Sequence, residues 1–118
     1  MSGPPIVVKI GGSTLGNHDT SLKDLANLQR EGASFVVVHG GGNVISQWMQ
    51  QQGIPPRFVD GLRVTDAPSL DIVVAVLSGL VNKELVSELN GLGGKCIGIS
   101  GIDDAMLEAH IANPALGF

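Results

Sequence analysis

The sequence has little cysteine and few large aromatic residues: one Cys, no Tyr, one Trp and three Phe among 118 residues. The single thiol, Cys96, excludes an internal disulfide, and residues 1–5 lack the charged and apolar regions of a secretory signal. We therefore expect a cytoplasmic protein. The sequence has seven basic and eleven acidic residues, and the basic residues do not cluster. It therefore shows no basic patch of the kind that binds the phosphate backbone of a nucleic acid. Neither nucleic acid nor a membrane is an expected partner.

Metal-ligating patterns are also missing from the sequence. His18, His39 and His110 have no ligand spacing to one another or to Cys96. We therefore predict no metal site built from protein ligands, and interpret these histidines as loop or packing residues.

Glycine, in contrast, is abundant. It accounts for 17 of the 118 residues, about twice its average share of ~7%. With 43% hydrophobic residues and a mean hydropathy of +0.28, the chain has enough apolar surface for one globular domain. We therefore expect this fold to rely on close approach of backbone segments rather than on aromatic stacking.

Short apolar runs that end in glycine alternate with segments of helical periodicity. The runs at 6–10 and 34–38 predict buried strands. Helices are predicted from Ser21, where Asp24 completes a capping box, and after the glycines at 40–42. The dipeptide at 60–61, Asp-Gly, predicts a hairpin turn. A third helix is predicted from Asp66 to about 90–91, and further strands at 95–100 and 106–111.

This alternation predicts an α/β fold, a three-layer αβα sandwich with a mainly parallel sheet. The loops at 11–12, 40–42 and 100–101 follow the carboxyl ends of predicted strands. Such loops share one edge of a parallel sheet, where ligands bind. We expect the three loops to meet there.

Two of these loops have the composition of anion sites. Gly40, Gly41 and Gly42 open a helix and leave unpaired N–H groups at its positive end. A tight strand-to-helix turn is the alternative. Lys9 ends a strand beside Gly11-Gly12, where its ammonium suits a transferring phosphoryl group; a lysine that extends into solvent is the alternative. Neither a Walker A motif nor a dinucleotide fingerprint is present.

Several other charged residues have simpler interpretations. Arg63 lies in the predicted hairpin, where its guanidinium suits a carboxylate, although a solvated surface arginine is the alternative. Lys83 and Glu84 are interpreted as the polar stripe of the third helix, and Asp103-Asp104 as a solvated turn.

Three motifs follow the order found in the amino acid kinase family. They are Val-Val-Lys-Ile-Gly-Gly at 7–12, Val-His-Gly-Gly-Gly at 38–42 and Gly-Leu-Arg-Val-Thr at 61–65. Several branches share the first two loosely, whereas the third resembles the N-acetylglutamate kinases. Asn82-Lys83 and Gly-Ile-Ser-Gly at 98–101 support the resemblance, which spans residues 6–118.

The resemblance implies phosphorylation of the side-chain carboxylate of N-acetyl-L-glutamate by ATP with Mg²⁺, a step of arginine biosynthesis. Lys9 matches the catalytic lysine that stabilises the transferring phosphoryl group. Gly41 and Gly42 match glycines whose amides hold the substrate, with Gly11, Gly12 and Gly40 in the phosphate loops. Arg63 matches the arginine that binds the substrate α-carboxylate.

Family members are considerably longer than this sequence. The resemblance therefore implies that residues 1–118 form the N-terminal, acyl-amino-acid-binding lobe, without the ATP-binding lobe, and that they are inactive alone. The family usually has glycine where this sequence has Asp104. Two alternatives stay open: a kinase of carrier-linked aminoadipate or glutamate, and a catalytically silent binding or dimerisation module.

The third helix also predicts an assembly. Residues 72–81 are apolar on every face except Ser78 and Gly79, whereas a helix covered on one side only should have a polar stripe. In the N-acetylglutamate kinases this region pairs two subunits. We therefore expect a two-fold homodimer through residues 72–89, with Ile72 and Leu89 at the ends of the interface, and expect Val76→Glu to give monomer.

Overall fold

The computed structural model describes residues 3–11 and 20–118. Its two longer strands, β1 (Ile6–Ile10) and β2 (Phe35–His39), pair in parallel from Ile6 opposite Phe35 to Ile10 opposite His39. Helix α1 (Ser21–Arg30) connects them, and α2 (Gly42–Gln51) follows β2. The predicted α/β class, parallel sheet and first two helices are confirmed. Of the predicted loop at 11–12, only Gly11 lies within the described residues; Gly12 and His18 lie outside them.

One face of the sheet carries the core. Ile10 packs in a single apolar cluster with α1, α2 and the later helices, and Met49 is almost completely buried in it. The opposite face stays open, since Val7 is 68% exposed and Val36 and Val38 are about half exposed. Among the described residues the helices therefore form one layer, and these residues do not supply the second outer layer of the predicted sandwich.

The start of α1 differs from the predicted capping box. Thr20, not Ser21, is the N-cap residue, and its hydroxyl donates to the Asp24 carboxylate at 3.0 Å instead of capping a backbone N–H. The box fails because the helix begins one residue earlier than predicted, which places Asp24 at the fourth helical position.

The third helix is continuous over residues 67–91 and changes its winding in the middle. Helix α3 (Ala67–Val74) passes into a π-helical segment (Ala75–Val81) and then into α4 (Asn82–Gly91). We call the three together the long helix. As predicted, Asp66 caps it by accepting a hydrogen bond from the Ser69 N–H at 3.0 Å, with Pro68 in the first turn. The Ser69 hydroxyl, followed by this backbone bond, lowers the pKa of Asp66.

The long helix buries Val76 completely in the chain's own core. The expectation that Val76→Glu would release a monomer is therefore wrong, because a buried unpaired carboxylate would disrupt the fold itself. The apolar pattern could not distinguish the face against the sheet from the opposite face. Val74, 43% exposed, lies on that opposite face with Ala75 and Gly79.

The predicted hairpin is present. Strands β3 (Phe58–Val59) and β4 (Leu62–Arg63) pair antiparallel around Asp60 and Gly61. Both turn residues have positive φ, 50° and 78°, as a two-residue turn matching the strand twist requires.

The strands predicted at 95–100 and 106–111 do not form; these residues have no ladder partner in the described structure. A cavity of about 260 Å³ lies between Phe35 and Val37 of β2 and residues 94–97. In this extended segment, side chains form the backbone hydrogen bonds that a neighbouring strand would otherwise form. Gln29 bonds both the N–H and the carbonyl of Lys95 at 2.8 Å, and Asn90 accepts from the Cys96 N–H. Ile97 is accordingly 84% exposed.

The turn at 103–104 is more structured than predicted. The Asp103 carboxylate accepts from the backbone N–H and hydroxyl of Ser100, and the former bond is the main cause of its lowered pKa. Asp104 has φ 52°, in the left-handed region. Aspartate tolerates that region better than most residues, so the turn can form here without a glycine.

The packing of the long helix on the segment behind it can be tested by substitution at residue 98. A Cβ on Gly98 would lie 2.0 Å from Asn82 Oδ1 and 2.8 Å from Val86 Cγ2. Gly98→Ala should therefore lower the free energy of unfolding by ~1–3 kcal/mol in urea titration. Gly91→Ala is the matched control, because its Cβ would also meet nothing within 4 Å and Gly91 lies at the end of α4. Equal stability of the two variants would contradict this packing.

Candidate functional site: the glycine loop

Residues 40–42, here called the glycine loop, join the end of β2 to the start of α2. The Gly40 N–H donates to the Ile10 carbonyl at 3.3 Å, which ties the loop to the end of β1. The first helical bond of α2 runs from the Ile45 N–H to the Gly41 carbonyl at 3.0 Å. The amides of Gly41 and Gly42 precede it and so have no partner within the helix. The loop therefore places backbone donors at a helix N-terminus, a favourable place for an anion.

The three glycines are needed for different reasons. A Cβ on Gly41 would lie 2.8 Å from Leu77 Cδ2 and 3.3 Å from Val81 Cγ2, so this glycine lets the π-helical segment approach the loop. A Cβ on Gly40 or Gly42 would meet nothing within 4 Å. The Gly40 N–H is already bonded to Ile10, so the open space beside Gly42 is where an anion could reach the amides at the start of α2.

Arg63 reaches this loop from the hairpin. Its Nη2 donates to the Gly42 carbonyl and to the Ser46 hydroxyl, both at 3.0 Å, and its Nη1 lies 3.2 Å from Met49 Sδ. Its guanidinium carbon lies 4.7 Å from the centre of the Phe58 ring. Partial burial lowers the pKa of Arg63, but a guanidinium stays charged throughout the physiological range. Arg63 thus lies beside the glycine loop instead of extending into solvent.

Lys9 lies on the other side of the sheet. It is the penultimate residue of β1, opposite Val38, and it is exposed. Because side chains alternate along a strand, Lys9 leaves β1 on the open face, whereas Ile10 points into the core. Arg63 docks on α2, within the helical layer. The backbone of Lys9 lies close to the loop, but its side chain starts from the opposite face.

A hydrogen-bonded chain behind the loop was missed from the sequence. Lys83 Nζ donates to Asn82 Oδ1 and to the Gly98 carbonyl, both at 2.9 Å. Asn82 Nδ2 lies 3.2 Å from His39 Nε2, and His39 Nδ1 lies 2.9 Å from the Gly40 carbonyl oxygen. Lys83 is exposed, as expected for the polar stripe of the helix, but its ammonium also reaches across to the neighbouring segment, a contact that the sequence did not predict. The Asn82-Lys83 pair in the sequence was the available clue.

Other kinds of site find no support in the part of the chain that is described. Over residues 3–11 and 20–118, no three or more His, Cys, Asp or Glu side chains gather as metal ligands would. Nor is any helix of these residues both long and apolar enough to cross a bilayer.

Comparison with known proteins identifies the family. The model of the amino acid kinase family matches residues 4–115. The chain belongs to this family. Two similar relatives are the acetylglutamate kinases of Dehalococcoides mccartyi (strain ATCC BAA-2266 / KCTC 15142 / 195) and Prochlorococcus marinus (strain MIT 9303). They are 46% and 48% identical over 113 residues, which cover 96% and 93% of this chain.

The same family fold is found in a solved structure. Protein smu.665 of Streptococcus mutans UA159 matches with a TM-score of 0.73 and 34% identity, over 81% of this chain and 40% of that one. The chain covers 42% of the Dehalococcoides relative and 37% of the Prochlorococcus relative. It therefore spans about two fifths of the length of these family members.

The contact between Arg63 and Ser46 can be measured with a double-mutant cycle of Ser46→Ala and Arg63→Met. A hydrogen bond to a charged group contributes ~1.5–3 kcal/mol, but Arg63 is partly solvated, so we expect a coupling of about 1 kcal/mol in urea unfolding. Pairing Arg63→Met with Ser87→Ala, an exposed serine of α4, provides the control. A coupling no larger than that of the control pair would contradict the contact.

Proposed function

We propose that this chain supplies the acyl-amino-acid-binding lobe of an acetylglutamate kinase, a cytoplasmic enzyme of arginine biosynthesis that phosphorylates N-acetyl-L-glutamate. The observation that carries the proposal is the position of Arg63, whose guanidinium lies 3.0 Å from the Gly42 carbonyl, beside the helix N-terminal amides. A fixed cation next to backbone donors suits a small molecule with two carboxylates. The names of the two relatives support this substrate.

Each group has a distinct role in the proposed complex. Arg63 has five N–H donors, and its contacts with Gly42 and Ser46 leave others for the substrate α-carboxylate. The amides of Gly41 and Gly42 hold the reacting side-chain carboxylate and the phosphoryl oxygens. In the transfer, a substrate carboxylate oxygen would bond to the terminal phosphorus of ATP while the bond from that phosphorus to the bridging oxygen breaks and ADP leaves. The amides and Lys9 would stabilise the charge on the phosphoryl oxygens, and Mg²⁺, when bound with ATP, would supply further positive charge. For this step the Lys9 side chain must bend over the sheet edge. Gly11, Gly12 and Gly40 complete the proposed phosphate loops.

The surface of the chain supports a second lobe. The open sheet face presents Val7, Val36 and Val38, and the segment after α4 presents exposed Ile97 and Leu107. Apolar patches of this kind mark surfaces that pack against another unit. We propose that the ATP-binding part of a family-length chain lies against this side, and that residues 1–118 alone bind substrate without turning it over.

A glycine substitution separates binding from folding. The Cβ of Gly42→Ala would meet no protein atom, so the fold should be unchanged, while the methyl occupies the proposed anion position. We expect calorimetry to show at least ~10-fold weaker binding of N-acetyl-L-glutamate, a loss of ~1.4 kcal/mol, with an unchanged urea midpoint.

The matched variant for this experiment is Gly91→Ala, which also meets open space but lies at the end of α4, in another part of the chain from the loop. It should bind like wild type. If wild type binds N-acetyl-L-glutamate and Gly42→Ala binds equally well, the loop is not the substrate site. If wild type does not bind the free acid at all, the proposed substrate is wrong.

We further propose that the chain forms a two-fold homodimer through the exposed side of the long helix. This side carries Val74, Ala75 and Gly79, which are small or apolar, with Asp71 at its start. An isologous contact would bring each Val74 close to the same patch of the second copy. Val74→Glu should therefore give monomer in sedimentation velocity, because two buried carboxylates would repel each other.

The control for the dimer experiment is Leu28→Glu on α1, a similarly exposed apolar position away from the long helix. It should leave the dimer intact. A wild-type monomer, or a Val74→Glu dimer, would contradict the proposed interface.

A further inference from the structure

The glycine loop is held from behind by polar groups that the proposed chemistry does not use. Lys83, Asn82, His39 and the Gly40 carbonyl form one chain of hydrogen bonds, with contacts of 2.9, 3.2 and 2.9 Å in that order. Asn82 is only 8% exposed, and a buried side-chain amide is costly unless its groups are paired. A long, well-packed helix thus carries a buried amide in the stretch where it faces the loop.

The donor and acceptor roles along this series of hydrogen bonds follow from its first group, the Lys83 ammonium. An ammonium group can only donate, so the Asn82 atom facing Lys83 is its oxygen. The Asn82 nitrogen therefore faces His39 and donates to Nε2, which must be an unprotonated acceptor. In the neutral ring the proton then lies on Nδ1, which donates to the Gly40 carbonyl. Each group fixes the role of the next.

The last bond determines where an amide points. The peptide between Gly40 and Gly41 is planar and trans, since the described residues contain no cis peptide. In a trans peptide the N–H points away from the carbonyl of the same plane. Holding the Gly40 oxygen on the His39 ring therefore directs the Gly41 N–H to the opposite side. That N–H is one of the donors assigned to the substrate above.

We infer that Asn82, Lys83 and His39 are positioning residues for the glycine loop: they fix the His39 tautomer and thereby aim the Gly41 amide at the bound anion. The effect of this positioning on the binding of N-acetyl-L-glutamate rests on the proposed function. The His39 tautomer and the orientation of the Gly41 amide do not. Apolar contact of Leu77 and Val81 sets the distance between helix and loop, whereas this polar chain sets the orientation of the peptide.

The test uses the 118-residue chain with ¹⁵N-labelled histidine. Wild type should show the chemical shifts of the Nδ1–H tautomer at His39. In Asn82→Leu, which lacks the donor, both tautomers should be populated, and the residual dipolar coupling of the Gly41 N–H should change. Lys83→Met should shift both observables in the same direction, because Asn82 is then free to turn over. Lys83 is exposed, so this variant keeps the fold even if Asn82→Leu does not.

Two controls separate positioning from general stability. Asn90→Leu removes an amide from the same helix that bonds Cys96 instead of His39, and should leave both observables unchanged. His39→Asn can still donate to the Gly40 carbonyl and should retain the wild-type Gly41 coupling, whereas His39→Leu should lose it. In calorimetry Asn82→Leu and His39→Leu should bind N-acetyl-L-glutamate on the order of tenfold more weakly, the effect of about one hydrogen bond.

The outcomes distinguish the two proposals. A proton on Nε2 of His39 in wild type, or a Gly41 coupling that stays the same in Asn82→Leu and Lys83→Met, overturns the positioning role. The expected spectra without any binding of N-acetyl-L-glutamate to wild type support the positioning role and contradict the proposed substrate. Changed spectra with unweakened binding in Asn82→Leu would show that the Gly41 amide does not hold the ligand, which also overturns the inference.

Discussion

The site depends on the close approach of the long helix to the glycine loop. Val76 anchors this helix in the core, and the stretch around Val81 packs against two glycines, Gly41 and Gly98. A side chain at either glycine would push the helix outward. Since Asn82 and Lys83 project from the same stretch, that displacement would also break the hydrogen bonds that reach His39. The apolar packing and the polar contacts in this region therefore depend on each other, because a change that moves the helix disrupts both.

The charges of the site are of a kind that pH changes little. Backbone amides do not titrate, and Arg63 stays protonated even though burial lowers its pKa. The guanidinium is also held in place, with Ser46 and the Gly42 carbonyl on one side and the Phe58 ring against it. Little conformational freedom is left for it to lose when an anion binds. Under the proposed function, this preorganisation favours recognition of a flexible, doubly charged substrate.

Much of the fold could be predicted because local patterns determine it. Asp60-Gly61 specifies a turn that needs positive φ, and Asp66 with Pro68 specifies a helix start. The strand pattern at 95–100 was misleading because a ladder also needs a partner edge, which no local pattern supplies. The carboxylate-binding role expected of Arg63 came from the family resemblance, whereas its contact with Gly42, 21 residues away, could not be predicted from spacing. The contact between Asn82 and His39, 43 residues apart, could not be predicted from spacing.

Under the proposed function, the exposed surfaces are where a second unit would complete the site at the edge of this chain. The radius of gyration is 16.1 Å, whereas a compact domain of this length has about 13.5 Å. The excess reflects the open face of β1 and β2 and the extended segment after α4. Lys9 leaves β1 on that open face, and the glycine loop lies at the adjoining edge. A lobe that covered the apolar face would thus also enclose Lys9 and exclude water from the loop. Because electrostatic interactions strengthen as water is removed, the amides and cations would stabilise a transferring phosphoryl group most strongly only once both units are in contact.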